Sequence, residues 1–368
     1  RDSGREQPPM SLIRRSSLVG SLLAALVTAA ACQPPGAARY SRQQAQTSLK
    51  KLGAPGLILG EFHLTKVTDG DTIRVDGLDS SLRLIGLDAE ETFKNEPDRR
   101  GAEGDFDAYL REKRGGGKHP VKAATPLGED AKNFAKQFFH DHEKVRIERD
   151  VPGEIRDRYD RYLAYVFAEI DGKWVNYNVE CVRAGMSPYF MKYGYSQRFH
   201  ADFVAAEAEA KAAKRGIWDP TKQHYPDYDE RARWWTARAE FIARYQPQID
   251  NDPNFIVLTH WDAMKKIEDR VGQEVAILAT VGDIKLGDRG PTKVMLSRKM
   301  FGDFPLVFFD KDVFASTGVA NFKGEFIVAK GVVTTYTNKY TKKKQFQIQI
   351  DRAGQLLLPD IPEFTPPQ

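Results

Sequence analysis

The chain has 368 residues, of which 41% are hydrophobic, and it carries 55 basic and 51 acidic side chains for a formal net charge of +4. This length predicts two or three domains, and the hydrophobic fraction is sufficient for packed cores. So small a net charge does not indicate a polyanion partner, which local patterns must support instead. The two cysteines, Cys32 and Cys181, are far apart in the sequence, which excludes a disulfide framework and a zinc site of clustered cysteine and histidine.

The N-terminal segment is typical of an export signal. We take Met10 as the predicted start, followed by two arginines and then by an apolar run over residues 18–31 that ends in small side chains. A basic region, a short apolar region and small residues at its end define a secretory signal peptide, and the run is too short for an ordinary membrane span. We therefore predict an upstream extension with a signal peptide at 1–31 and a low-complexity spacer at 32–60.

Cys32 directly follows three alanines and resembles the lipidated cysteine of a bacterial lipobox, although Ala29 stands where that motif usually has leucine. Lipidation would attach the mature chain to a membrane through Cys32. The alternative is simple cleavage after Ala31 with a soluble product. Both alternatives predict export, either as a periplasmic or outer-envelope lipoprotein or as a secreted protein. No later stretch is long and apolar enough to predict a transmembrane helix in the mature chain.

The stretch from residue 69 to residue 91 carries the first functional signal. Alternating apolar residues separate two acidic clusters and predict strand, turn and strand, so carboxylates distant in sequence can meet at one end of a sheet. Because Asp-Gly is a strong hairpin signal, we assign Asp69 to a turn at Asp69–Gly70 and place Asp71 beyond it. The residues of the two clusters and the arginine between them are Asp69, Asp71, Arg83, Asp88, Glu90 and Glu91.

The following region predicts an α+β unit that contains a small antiparallel barrel. Residues 92–126 are polar and glycine-rich and predict an exposed, partly helical insertion. Apolar residues at i, i+3, i+4 and i+7 then predict a helix at 129–140. Further strands and helices follow from the same criteria, the strands at 145–150, 161–168 and 173–178 and the helices at 179–183 and 198–214.

The second half predicts a helical connector followed by a second small barrel, similar to an OB-fold. Helices are predicted at 230–245 and 260–271, and five segments with period-two alternation follow them. The predicted domains are a first barrel domain at 61–220, the connector at 221–271, the OB-fold-like domain at 272–360 and a tail at 361–368.

A basic loop in the second barrel is a candidate nucleic-acid surface. Lys342, Lys343 and Lys344 lie near Tyr336 and Phe346. Lysines interleaved with aromatic residues bind single strands through stacking and backbone charge. The alternative is a hairpin loop whose lysines protect an edge strand from aggregation.

The first acidic stretch holds the residue types that phosphodiester cleavage requires. Asp71 and Asp88 offer the oxygen ligands that Ca²⁺ prefers, and such a cation acts as Lewis acid and template. The planar guanidinium of Arg83 can give phosphate oxygens two parallel hydrogen bonds. Glu91 can orient or deprotonate the attacking water. A second arginine is expected from elsewhere, and Arg161 is placed for that role at the start of a predicted strand.

Six separate motifs follow one another between residues 62 and 220. In chain order they are DGDT at 69–72, LRLIGLDAEET at 82–92, LGEDA at 127–131, DRYDRYLAYVF at 157–167, WVN at 174–176 and KRGIW at 214–218. Together they resemble the motifs of the staphylococcal nuclease (thermonuclease) family. The resemblance implies a five-stranded OB-type β-barrel with three helices, in agreement with the predicted order of elements.

The resemblance also implies roles for individual residues. The carboxylates of Asp71 and Asp88 and the carbonyl of Ala89 would bind Ca²⁺, and Glu91 would be the general base or the water-orienting group. The implied phosphate clamp is Arg83 and Arg161. The implied nucleotide contacts are Tyr159 and a second aromatic residue, either Tyr193 or one near Tyr189.

Two departures from the family pattern stand beside these motifs. Ala89-Glu90 replaces the usual Thr-Pro, and this exchange predicts an altered metal affinity or competition between Glu90 and Glu91. Asp160 and Tyr162 replace the glycines that usually flank the second arginine, which predicts a narrower site or a shifted substrate preference.

The leading hypothesis is an exported, calcium-dependent nuclease that hydrolyses DNA and RNA, with single strands preferred. The alternative is a catalytically inactive, nuclease-like envelope lipoprotein that binds only nucleic acid or protein. Calcium-dependent cleavage of single-stranded DNA distinguishes the two.

Overall fold

The computed structural model describes residues 56–363 apart from 116–119, 143, 153–155, 158, 160, 298–302, 338–341 and 343. The predicted signal peptide, Cys32 and Lys343 lie outside the described residues, so export and lipidation stay predictions. The described chain forms two closed five-stranded barrels joined by helices. No helix in this part of the chain combines the length and the hydropathy of a membrane span.

The first barrel closes through strands of very different length. Its ring has the order β3-β2-β1-β5-β6, and β6 returns to β3 in a parallel pairing with Arg83 opposite Leu163. Strand β7 extends one edge, and β4 pairs with β8 outside the ring. The bounds of these strands are β1 Ile58–Asp69, β2 Thr72–Val75, β3 Leu82–Leu84, β4 Gly86–Leu87, β5 Lys144–Glu148, β6 Tyr162–Ile170, β7 Lys173–Asn176 and β8 Tyr189–Phe190.

Five helices accompany this barrel. Seven consecutive residues of β6 are buried because one face of the strand fills the barrel and the other supports helices. The helix bounds are α1 Glu96–Gly104, α2 Phe106–Arg114, α3 Pro126–Phe138, α4 Tyr177–Arg183 and α5 His200–Ala212, followed by a 3₁₀ turn at Gly216–Trp218.

The 92–126 insertion is partly helical, as predicted, but it is more buried than its composition predicts. It folds into α1 and α2, each started by an aspartate or asparagine cap, with Asn95 accepting from Asp98 N and Asp105 from Ala108 N. Tyr109 is 4% exposed and packs in a core cluster with residues of the connector. The polar composition of the whole segment therefore did not indicate that each short helix has one buried face.

Two further boundaries differ from the sequence predictions. Strand β1 begins at Ile58, inside the segment predicted as spacer, and pairs with β5 from that residue on. The first hairpin turns at Gly70–Asp71, one residue later than predicted, because Asp69 still pairs with Thr72. The Asp69 carboxylate accepts the Asp71 N–H at 3.2 Å, so Asp71 itself occupies the turn.

The second barrel has the same ring topology as the first. Its order is β13-β14-β12-β11-β10, closed by β10 against β13, and β12 pairs parallel with β14. Short strands β9 and β15 extend the sheet. The bounds are β9 Phe255–Val257, β10 Glu274–Lys285, β11 Thr292–Ser297, β12 Phe304–Phe308, β13 Phe326–Thr337, β14 Lys344–Gln349 and β15 Leu356–Leu357.

The connector attaches the barrels to each other through packed helices. Its predicted span of 221–271 is too long, because β9 pairs in parallel with β10 and so belongs to the second barrel. Phe241 and Ile242 pack against the second barrel, whereas Tyr228 and Trp235 pack near the first. The helix bounds are α6 Tyr228–Ala243, α7 Gln246–Asn251, α8 Ala263–Glu268 and, within the second barrel, α9 Lys311–Thr317.

Candidate active site

Arg83 lies at the centre of the predicted site and contacts both predicted carboxylates. One terminal nitrogen forms an ion pair with Asp71, and the other lies 2.9 Å from Asp88 Oδ1 and donates to the Leu87 carbonyl at 2.9 Å. The side chains of Arg83, Asp71 and Asp88 are all less than 10% exposed. The hairpin turn, β3 and the segment after β4 therefore converge as the strand pattern predicted.

Hydrogen bonds fix the carboxylate of Asp71 and the backbone of Asp88. The Thr72 hydroxyl donates to Asp71 Oδ1 at 2.8 Å, and the Asp88 N–H donates to Ser187 Oγ at 2.9 Å. Leu82 and Leu84 on either side of Arg83 are buried in the barrel core, which fixes the height of the arginine along β3. The charged group thus sits on a rigid strand rather than on a loop.

The insertion supplies a second cation that the sequence did not indicate. Lys122 Nζ lies 2.5 Å from Asp88 Oδ1. Burial acts to raise the pKa of Asp88, but the charges of Lys122 and Arg83 outweigh it and lower that pKa to about 2. For Asp69 burial prevails over the attraction of Arg83, and its pKa is raised. Asp88 is therefore ionised at neutral pH in the arrangement that the structure shows.

Glu91 faces the same cleft and is more accessible. Its side chain is 39% exposed, with Lys94 Nζ 3.7 Å from Oε2. Its carbonyl accepts the Thr125 N–H at 3.0 Å, next to the start of α3. This close approach requires Gly128, since a Cβ there would lie 2.1 Å from the Glu91 carbonyl oxygen. The glycine of the LGEDA motif thus lets α3 hold the backbone of the predicted base.

Glu90 points away from the cleft and does not compete with Glu91. It is 1% exposed and accepts the Tyr225 N–H at 2.8 Å, the Tyr228 hydroxyl at 2.7 Å and the Thr125 hydroxyl. Burial raises the pKa of Glu90, although these three donors oppose the shift. The unusual carboxylate of the Ala89-Glu90 pair therefore joins the connector to the first barrel.

Arg161 is oriented by a residue that the sequence analysis left without a role. Asp157 Oδ2 accepts Arg161 Nε at 2.9 Å and Nη2 at 2.7 Å. The other oxygen of Asp157 accepts the N–H groups of Tyr159 at 2.9 Å and Arg161 at 3.0 Å. Tyr159 is 55% exposed, and the Arg161 guanidinium lies 5.4 Å from its ring centre.

One cleft of about 750 Å³ collects these groups. Asp71, Asp88, Arg83, Glu91 and Arg161 all line it, together with Tyr159 and Tyr193. Ala89 is not among the lining residues, and its side chain is only 7% exposed. Such a volume is typical of a formed binding pocket.

The predicted lysine loop lies elsewhere. Lys342 and Lys344 are exposed and do not line the cleft. They follow the far end of β13, whose first residue Phe326 adjoins the cleft-lining Glu325. The two ends of β13 are its first and its twelfth residue, and eleven steps of about 3.3 Å separate them by roughly 36 Å along the strand. Nucleic-acid binding by this loop stays a prediction. The assignment of the cleft does not depend on it.

The donor set suits a hard cation only in part. Asp71 and Asp88 provide two buried carboxylates close to one arginine, and carboxylate oxygen is the ligand type that Ca²⁺ prefers. Among the described residues, no group of three or more Asp, Glu, His or Cys side chains is placed to hold a metal ion. A cation here would need further oxygens from backbone or water.

Several residues of the cleft carried no signal in the sequence. Lys192, Trp234 and Arg238 also line it, and Glu325 reaches it from the second barrel. Their partners are distant in sequence, as in the Arg238–Glu325 pair with a sequence separation of 87. Periodicity and motif spacing describe only local neighbours, so contacts of this kind were not predictable.

Comparison with known proteins gives a consistent result for the first barrel and its helices. Residues 81–220 match the family model described as "Staphylococcal nuclease homologue". The chain is 30% identical to the thermonuclease of Staphylococcus hyicus over 162 residues, which are 43% of this chain and 75% of the relative. It is 30% identical to the thermonuclease of Staphylococcus intermedius over 168 residues, which are 44% of this chain and 79% of the relative.

A third relative is endonuclease YncB of Bacillus subtilis, 29% identical over 157 residues, which cover 42% of this chain and 60% of the relative. The family model includes Arg83, Asp88, Glu91 and Arg161, whereas Asp71 precedes it. The matched span, the barrel topology and the convergence of these side chains agree with one another. The chain belongs to the staphylococcal nuclease family.

Proposed function

We propose that the chain is a calcium-dependent nuclease that hydrolyses phosphodiester bonds of DNA and RNA. The observation that carries this proposal is the convergence of two arginines, two buried carboxylates and Glu91 on one cleft. The relatives named thermonuclease and endonuclease support a nuclease at the level of the family.

Each side chain has a role that its position supports. Arg83 and Arg161 would hydrogen-bond to the oxygens of the scissile phosphate and stabilise the charge that grows there during attack. Glu91, the accessible carboxylate, would orient the water and accept its proton. Attack on phosphorus breaks the bond to the leaving oxygen, and the resemblance to the family implies 3′-phosphate products.

Asp71 and Asp88, with the Ala89 carbonyl, would hold the calcium ion. When bound, this ion supplies Lewis-acid stabilisation of the phosphoryl oxygens. Because Arg83 contacts both carboxylates and Lys122 contacts Asp88, these cations neutralise the ligands in the described structure. When calcium binds to the carboxylates, Arg83 and Lys122 would therefore have to leave them, and Arg83 would contact the phosphate instead.

Asp157 is a positioning residue for this reaction. It holds the guanidinium and the backbone N–H of Arg161 with its two oxygens. The exposed ring of Tyr159 beside Arg161 offers a surface for the sugar or base next to the scissile phosphate.

The direct test incubates the purified chain with single-stranded DNA in calcium or in EDTA. We expect cleavage in calcium only, and a loss of about 10²–10³-fold in kcat for Arg161→Ala. The matched control is Arg270→Ala, since Arg270 lies away from the cleft and hydrogen-bonds Asn254 at 2.8 Å. No calcium-dependent cleavage across a range of pH would instead support the nuclease-like binding module.

A further inference from the structure

The cleft is not confined to the nuclease barrel. The first barrel contributes the carboxylates and arginines, and Trp234, Trp235 and Arg238 of α6 line another part of the cleft. The second barrel adds a third group of lining residues from its strands and the segment before β13, namely Thr280, Ser297, Lys323, Gly324 and Glu325. The active groups therefore face a wall made by the connector and the second barrel.

This wall is fixed in place by a buried ion pair. Arg238 Nε lies 2.5 Å from Glu325 Oε2, and Arg238 Nη2 lies 2.6 Å from Oε1. The Trp234 indole N–H donates to the same carboxylate at 2.9 Å, and the guanidinium lies 3.9 Å from the Trp234 ring centre. Arg238 and Glu325 are 5% and 4% exposed. A buried bidentate pair of this kind determines a specific docking geometry.

Lys192 is a further cation that lines the cleft. It lines the cleft directly after β8, and its Nζ is 5.6 Å from the Tyr193 ring centre. Burial, together with the charges of Arg238 and Lys122, lowers its pKa to about 8. Within the described part of the chain it has no carboxylate at ion-pairing distance. A partly buried ammonium among other cations is a site where an anion is stabilised.

Lys323 supplies a second cation on the far wall. Its ammonium lies 3.1 Å from Asp283, and both side chains are 62% exposed. An exposed pair of this kind contributes little stability and exchanges readily with another anion. Lys192 and Lys323 thus both present positive charge to the cleft that the Arg238–Glu325 pair also lines.

We propose that the cleft is a channel for a single-stranded polynucleotide in which Lys192 and Lys323 contact phosphates next to the scissile one, so that the second barrel forms half of the substrate site. This inference rests on the proposed function of the same cleft. A cleft of about 750 Å³ encloses a few nucleotides, and cations with aromatic side chains are what single strands bind. The second barrel then sets substrate preference without any catalytic group.

Binding of a fluorescein-labelled oligothymidylate to the full-length chain in EDTA tests the proposal, because no strand is then cut. We expect the negative slope of log affinity against log salt to become less steep by about 0.7 for Lys192→Met and likewise by about 0.7 for Lys323→Met, since each phosphate contact on a single strand contributes that amount. Lys192→Arg should keep the slope. The matched control is Lys173→Met, an exposed lysine at the start of β7 outside the cleft.

Slopes for both methionine variants equal to that of Lys173→Met would overturn the proposal, as would no measurable binding by the unmodified chain. The exposed side chain of Lys323 keeps the test informative if Lys192→Met unfolds. Cleavage in calcium with unchanged slopes refutes the channel alone. Less steep salt dependence in the two methionine variants, without cleavage in calcium, refutes the nuclease function alone.

Discussion

The two barrels share one ring topology but differ in what their third strand carries. In the first, β3 is Leu-Arg-Leu and places Arg83 between Asp71 and Asp88. In the second, the corresponding β12 is Phe-Pro-Leu-Val-Phe, and all five residues are buried. The same backbone arrangement therefore holds a charged site in one barrel and a packed apolar strand in the other.

The residues after the third strand differ in the same way. Asp88 follows β4 and joins Arg83 and Lys122. Asp310 follows β12 but accepts the Asp312 N–H at 2.7 Å and so starts α9. An aspartate at this place is thus a helix cap in one barrel and a candidate metal ligand in the other. The second barrel serves the cleft through Lys323 and Glu325, which lie just before β13.

The largest effect is expected at the contact that joins the barrels. Glu325→Ala would remove the carboxylate that accepts hydrogen bonds from buried Arg238 and from the Trp234 N–H, and we expect a loss of about 3–5 kcal/mol in the free energy of unfolding. Urea unfolding measures it. The double variant Arg238→Met, Glu325→Leu should recover most of the loss. A single variant as stable as the unmodified chain would show that this pair does not fix the wall.

Gly128→Ala tests the equivalent support on the nuclease side. The added Cβ would lie 2.1 Å from the Glu91 carbonyl oxygen, so we expect a loss of about 1–3 kcal/mol and a displaced Glu91. Thermal unfolding and kcat are the measurements. The matched control is Gly104→Ala at the end of α1, where a Cβ would meet nothing within 4 Å. Equal stability of both variants would contradict the packing of α3 on the Glu91 backbone.

The smallest effect on stability is expected for Glu90→Gln, and it depends on pH. Because its pKa is raised above the reference value of 4.5 on folding, its contribution to stability is full below about pH 4.5 and is lost as pH rises through the folded pKa. Glu90→Gln resembles the protonated acid and should unfold at a higher temperature than the unmodified chain at pH 7.

The difference between Glu90→Gln and the unmodified chain should vanish below about pH 4.5. Glu90→Ala, which leaves the Tyr225 N–H and the Tyr228 hydroxyl without an acceptor, should lose about 1–3 kcal/mol at both pH values. A constant difference between Glu90→Gln and the unmodified chain across this range would contradict the raised pKa.

The sequence predicted the parts of this molecule that depend on local pattern. Period-two alternation indicated both barrels, and spacing placed Asp71, Arg83 and Asp88 together because a short hairpin joins them. Arg161 followed from its motif and from the start of β6. The predicted position of the first hairpin turn was wrong by one residue. The turn register depends on side-chain hydrogen bonding and on how closely α3 approaches Gly70.

Long-range contacts were beyond such reasoning. Glu90 meets Tyr225 and Tyr228 across 135 and 138 residues, so its role in holding the connector has no local signature. Lys122 lies in a glycine-rich segment whose composition suggested surface, yet α1 and α2 bring it to Asp88. The second barrel was predicted, but its contribution to the cleft depends on long-range contacts such as the buried Arg238–Glu325 pair and the packing of Phe241 and Ile242.

The neighbouring glutamates provide the most direct test of the central claim. Single-turnover cleavage of a labelled single-stranded DNA in calcium should be about 10²–10⁴-fold slower for Glu91→Gln, because the group that orients the water and accepts its proton is lost. Glu90→Gln should cleave at the unmodified rate, since Glu90 is buried against the connector. Unchanged cleavage by Glu91→Gln, or an equal loss in both variants, would contradict the assignment of the active site.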